Sequence, residues 1–220
     1  MSRFTSIPPF RGPGAPTRSA GEVVAVRAGA RPRVCSRVGS CTRLAPTTGR
    51  LTHYRHDPQH PDSLSSNSVT SILGDDNGAL WVGTYGDGLN RFDPASGKFR
   101  VYRHDPADAR TLSSDRILDL YRDRAGVLWV GTEGGGLNLL DRRTGRFRRF
   151  THDPEDDASL SSDIVYSLHV DARGTLWIGT GAGGLFHIDR ETGLTSTYRH
   201  DPRNPNSLSG NQVETLLEDR

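Results

Sequence analysis

Four His-Asp-Pro triplets stand at intervals of 48 residues, beginning at His56, His104, His152 and His200. An imidazole beside a carboxylate is metal-ligating chemistry, and ligands sharing one ion must approach it to ~2.0–2.2 Å. Equal spacing over so many residues puts each triplet in its own structural unit, so the expected role is structural. The Asp accepts backbone hydrogen bonds and the Pro stops an extended segment from continuing. Asp75, Asp123, Asp171 and Asp219 recur in the same rhythm and are expected to shape turns. No nucleophile elbow, phosphate-binding loop, His-Glu-x-x-His or Cys-x-x-Cys occurs. Catalytic residues, metal ligands and cofactors are therefore expected to be absent. His169 and His187 break the repeat and are the two side chains that an enzymatic reading would have to use.

The elements that position these residues follow from the same period. Trp81, Trp129 and Trp177 repeat every 48 residues, as do Leu64, Leu112, Leu160 and Leu208. In the unit beginning at Asn67, the runs 69–73, 80–84, 89–92 and 99–103 read as four short strands. They are separated by Asn77-Gly78, by Tyr85-Gly86-Asp87-Gly88 and by a type I turn over Asp93–Gly97. Four antiparallel strands at a period in the range of propeller blades predict an all-β fold, a β-propeller. The indoles are expected between neighbouring blades. Each buries ~150–250 Å², roughly 4–6 kcal/mol gross at ~25 cal/mol/Å². Gly83, Gly131 and Gly179 belong to the same structural repeat.

Three blades are complete, at 67–103, 115–151 and 163–199, with partial blades expected at 43–55 and 211–220. The last of these includes a first strand over 213–217. The expected architecture is an incomplete arc. An alternative joins strands near 32–55 to 211–217 and closes a four-bladed ring. Residues 1–50 carry nine arginines and one acid, Glu22, so the +2 net charge conceals an acidic remainder with 25 acids against 19 bases. The basic balance belongs to the expected leader at 1–42, read as disordered, and does not indicate a nucleic-acid partner. That leader has no apolar core of a secretory signal, and no run approaches the ~18 apolar residues of a membrane span. Hydrophobic residues make up 33%, against roughly 45–50% for an average domain, while 25 glycines and 13 prolines mark a chain rich in turns.

Propeller ligands usually meet the mouth built by the linkers between blades and the loops between second and third strands. The informative residues are those that depart from the repeat there. Tyr85 becomes Glu133 and Gly181, while Asp87 becomes Gly135 and Gly183. Before the first strand, Ser68 becomes Arg116, Ile164 and Gln212. Tyr85, Asp87, Arg116 and Glu133 are thus the candidate ligand-binding residues, able to hydrogen-bond a polar molecule. The neighbouring Asn67, Asp115, Asp163 and Asn211 are expected to cap turns.

Ser63-Leu64-Ser65-Ser66-Asn67, Leu80-Trp81-Val82-Gly83-Thr84 and Gly88-Leu89-Asn90-Arg91-Phe92-Asp93-Pro94, with Leu128–Thr132 and Leu176–Thr180, resemble the two-component regulator propeller repeat. The resemblance covers about 43–220. It implies part of a seven-bladed propeller, in the extracytoplasmic (periplasmic) sensor portion of membrane-bound hybrid histidine kinases or diguanylate cyclases. The implied partners are a polar small molecule or glycan-derived ligand, the remaining blades, and the kinase domain of a longer parent. Direct membrane contact by this chain is not implied. Two enzyme families share parts of the pattern. The Asp-x-x-Thr/Ser-Gly turns at 93–97, 141–145 and 189–193 look like those of quinoprotein dehydrogenases. The Trp–Gly–Leu–Asp rhythm looks like streptogramin lyases, which use a histidine and a metal. A non-functional gene fragment is the third alternative.

Overall fold

The computed structural model describes residues 23–26, 33–36, 40–44, 51–75, 78–123, 125–189 and 192–219. Within these residues, sixteen strands form four antiparallel four-stranded sheets, each in chain order. The first holds β1 (Val23–Val26), β2 (Arg33–Ser36), β3 (Ser40–Leu44) and β4 (Leu51–Tyr54). The second holds β5 (Val69–Gly74), β6 (Leu80–Thr84), β7 (Leu89–Asp93) and β8 (Lys98–Tyr102). The third holds β9 (Ile117–Arg122), β10 (Leu128–Thr132), β11 (Leu137–Asp141) and β12 (Arg146–Phe150). The fourth holds β13 (Val165–Val170), β14 (Leu176–Thr180), β15 (Leu185–Ile188) and β16 (Thr195–Tyr198).

The innermost strand of each sheet touches the next: β1 on β5, β5 on β9, and β9 on β13. The sheets therefore radiate as blades from a common axis. They describe an open arc, with no comparable contact between β13 and β1 among the described residues. No described helix is long and apolar enough to cross a membrane.

Both ends differ from the expectation. Strands β1 and β2 lie within 1–42, where a disordered leader was expected, and β3 starts at Ser40, so the first sheet has four strands instead of the partial blade at 43–55. Val23, Val24, Val26 and Val34 are β-branched and suit a strand despite the arginines and prolines around them. Residues 1–22 lie outside the described ones. At the other end, 211–219 forms no strand ladder. Its backbone bonds, Val213 N–H to Thr180 O at 2.9 Å and Gly184 N–H to Asn211 O at 2.9 Å, fasten it to the fourth sheet. It occupies the place of a first strand but has no hairpin partner among the described residues.

Packing between blades follows the expected indoles. Trp81 and Trp129 are buried and lie in apolar clusters with residues of the following sheet: Trp81 with Ile117 and Leu120, Trp129 with Val165 and Leu168. The glycine two residues after each indole is required by this approach. A Cβ on Gly131 would stand 2.7 Å from Val165 Cγ1, and one on Gly83 would stand 2.6 Å from Ile117 Cγ2. Trp177 is partly exposed, and its neighbours are His187 and Tyr198 of its own sheet.

The linkers repeat one hydrogen-bonded design. Each triplet imidazole pairs through Nδ1 with the carbonyl of the recurring leucine, at 2.9, 2.8, 2.7 and 2.7 Å for His56, His104, His152 and His200. The side chains of Asn67, Asp115, Asp163 and Asn211 accept from the backbone N–H of those histidines. Both sets of residues therefore act as staples that close a twelve-residue loop.

Candidate functional site

Tyr85 follows β6, Arg116 precedes β9 and Glu133 follows β10, so three separate segments carry them. Backbone pairing brings the segments together. Tyr85 and Arg116 form an antiparallel bridge, and Glu133 N–H donates to the Arg116 carbonyl at 2.9 Å. Gly86 and Gly88 N–H both donate to the Asp115 carbonyl, at 3.1 and 3.0 Å. Gly88 has φ +80°, and a Cβ there would stand 2.3 Å from the Tyr102 carbonyl, so this turn requires glycine.

The side chains then meet at the surface. The Tyr85 hydroxyl donates to Glu133 Oε2 at 2.5 Å. Arg116 Nη1 lies 3.4 Å from Glu133 Oε1, and its guanidinium stands 5.7 Å from the centre of the Tyr85 ring. The Glu133 carboxylate, by accepting the phenol's hydrogen bond, raises the Tyr85 pKa above its ordinary value. Tyr166 of β13 is near enough for its charge to add to that rise. The cluster presents a phenol, a guanidinium and a carboxylate side by side, matching donors and acceptors on a polar ligand.

Of the four residues singled out from the sequence, the structure groups these three. Asp87 instead stands 3.6 Å from Arg103 Nη1, an exposed pair beside the cluster. In the next position around the arc the polar set is gone: Gly181 sits where Tyr85 and Glu133 stand, against Ile164.

His169 and His187 lie on the same face of the fourth sheet, each directly opposite Trp177 across one strand pair. This register leaves one indole between them. His169 Nε2 pairs with Glu218 at 2.9 Å, and the His187 ring stacks on Trp177 at 4.7 Å between centres. His187 Nδ1 is buried without a hydrogen-bond partner.

Of two further sites, one has no counterpart among the sequence expectations and the other centres on Asp75, expected only to shape a turn. Asp119, on β9, receives Ser71 Oγ–H of β5 at 3.3 Å, Leu120 N–H at 2.8 Å and Leu168 N–H of β13 at 3.0 Å. One carboxylate therefore ties three inner strands, and its burial pushes its pKa up to about 6. The available signal was a break in register, since Ser71 and Ser167 occupy the equivalent positions. Asp75, whose side chain is fully buried, accepts from Arg142 at 2.6 and 2.7 Å and lies 3.3 and 3.6 Å from Arg91 and Arg122. Its counterpart Asp171 accepts the indole N–H of Trp177 at 2.9 Å.

The repeated segments 63–86, 111–134 and 159–182 match the family described as two component regulator propeller. The chain carries two component regulator propeller repeats. The extracellular domain of the hybrid two component system BT4673 from Bacteroides thetaiotaomicron superposes with a TM-score of 0.70 at 23% identity, covering 90% of this chain and 25% of that one. The extracellular domain of BT3049 from the same organism gives 0.54 at 20% identity, covering 95% of this chain and 33% of that one. Virginiamycin B lyase from Staphylococcus aureus gives 0.52 at 17% identity, with coverage of 76% and 52%. No curated protein sequence matches. At these identities the likeness concerns the fold. The chain spans about a quarter of the BT4673 domain.

Proposed function

We propose that this regulator propeller segment is a non-catalytic sensor module that binds a polar small molecule, of the kind derived from glycans, at the mouth around Tyr85, Arg116 and Glu133. It would serve the extracytoplasmic input region of a longer two-component or diguanylate cyclase regulator. One observation carries the reading: three side chains that break the repeat converge from three segments, while the next blade has only Gly181 and Ile164 there. The extracellular domains of BT4673 and BT3049, described as parts of hybrid two component systems, support the assignment through their fold.

Titrating the chain with a panel of acidic and neutral oligosaccharides, followed by NMR, tests this. Saturable shifts at Tyr85, Arg116 and Glu133 are expected, with at least about tenfold weaker binding after Arg116→Ala, since hydrogen bonds to charged groups contribute about 1.5–3 kcal/mol. Binding elsewhere on the chain would remove the mouth as the site, and turnover of a glycan, a lactone or an alcohol that ceases with His169→Ala or His187→Ala would replace the sensor reading with an enzymatic one.

A further inference from the structure

The linker at 104–115 and the linker at 152–163 are built alike, but only the former is filled. Arg149 of β12 inserts its guanidinium beneath the 104–115 linker. It donates to the carbonyls of Thr111 at 3.0 Å, Asp108 at 3.1 Å and Leu112 at 3.0 Å, and to Thr111 Oγ1 at 3.0 Å. A second guanidinium, that of Arg110, closes on the Asp108 carboxylate at 2.9 Å. The outer strand adds Phe147 N–H to the Arg110 carbonyl at 2.7 Å.

One blade further on, the acceptors persist and the arginines do not. Ser159 Oγ holds Asp153 as Thr111 holds Asp105, and Asp156 accepts Ala158 N–H as Asp108 accepts Arg110 N–H. Thr197 stands in place of Arg149, Ala158 in place of Arg110 and Thr195 in place of Phe147. The result is an open cleft of about 530 Å³ whose lining includes Asp153, Asp156, Asp157, Ser159 and Thr197. Ser161 also lines it, buried and with an unpartnered Oγ, because Phe186 replaces the asparagine that serves Ser65 and Ser113. Arg199 borders the cleft, its Nε 3.4 Å from the Gly183 carbonyl.

We infer that this cleft is a binding site for an alkyl guanidinium group, the chemistry of an arginine side chain or of a small guanidine compound. The chain itself shows the complex in its other blade, where the same acceptor geometry grips Arg149. A guanidinium offers five donors in a fixed fork, which suits several linker carbonyls better than an ammonium does. Asp156 stands where Asp108 meets Arg110 in the preceding blade, and Asp153 and Asp157 add further countercharge to the lining. This site is separate from the mouth cluster and does not depend on the sensor reading.

N-acetyl-arginine methylamide and agmatine, titrated into the whole chain with backbone NMR as readout, test the assignment. Saturable shifts at Ser159 and Leu160 are expected. N-acetyl-citrulline methylamide, equal in shape but uncharged, should bind at least about tenfold more weakly, as expected for lost charge-assisted bonds. Tighter binding of the blocked arginine identifies a peptide side chain as the natural source, and tighter binding of agmatine a free guanidine. Thr197→Arg should fill the cleft from within, raising the melting temperature and abolishing the shifts. Equal binding of citrulline, absence of shifts in the cleft, or undiminished binding by the folded Thr197→Arg variant would overturn the inference.

Discussion

Tyr85 carries a phenol whose proton is committed to Glu133 at 2.5 Å while its ring faces Arg116. Ionising it would set a phenolate against a carboxylate, so the neutral form is favoured and titration moves above 10.0. Subtracting the ultraviolet titration of Tyr85→Phe from that of the wild type isolates this one phenol among six tyrosines. Its midpoint should lie above the ordinary value and return towards it in Glu133→Gln. A midpoint unmoved by that substitution would mean the pair does not persist in solution. Sequence comparison within the chain was enough to select Tyr85, Arg116 and Glu133, because each departs from its repeat counterparts. The same comparison selected Asp87, which pairs with Arg103 instead. Departure from a repeat identifies positions free of packing duty but does not say which of them meet.

Blades are held to each other by their inner strands, and Asp119 is the polar tie among β5, β9 and β13. The residue keeps some exposed surface, yet its carboxylate is enclosed by the strands it bridges, and the two backbone N–H groups and the Ser71 hydroxyl only partly offset that burial. Its pKa rises from 3.8 to about 6, so the folded state binds a proton that the unfolded state has released. The contribution to stability is full below pH 3.8 and is lost as pH rises through about 6. Its size is at most about 3 kcal/mol, from roughly 1.4 kcal/mol per pKa unit. Urea unfolding of the wild type and Asp119→Asn between pH 4 and pH 7 should show the wild type losing stability relative to the variant as pH rises. Parallel curves would remove Asp119 as a titrating tie. The strands themselves were readable from alternation and turn residues, and the structure assigns Leu80–Thr84 to β6 as expected. The burial of Asp119 was not readable, because a single acid on a strand looks the same in sequence whether it faces water or three backbones.

Among the described residues, each internal junction of the arc is covered by a following blade, whereas the far flank of the fourth sheet is met by segment 211–219 and keeps a partly exposed aromatic face. There Trp177, His187 and Tyr198 stack with centres 4.7 to 6.1 Å apart, and Tyr198 is 49% exposed. Trp81 and Trp129 meet a following blade at the equivalent place. An aromatic sheet face of this kind favours association. Sedimentation of the 220-residue chain should therefore show concentration-dependent self-association, reduced by Tyr198→Glu. A monomer at all concentrations, or association indifferent to that substitution, would show that this face is not adhesive.

What the sequence determined alone was the unit and its internal logic: a 48-residue period, four strands, recurring indoles between blades and stapled linkers. These are local matters, since alternation, turn chemistry and a glycine beside a packed side chain act over a few residues and repeat wherever the residues do. The tertiary structure decided which departures from the period work together. Tyr85 and Glu133 meet although 48 residues apart, Asp119 reaches two neighbouring blades, and Arg149 fills a linker that Thr197 leaves open on the next. Such pairings depend on how successive sheets turn about their axis, and that geometry is set by packing between blades, where sequence spacing carries no measure of distance.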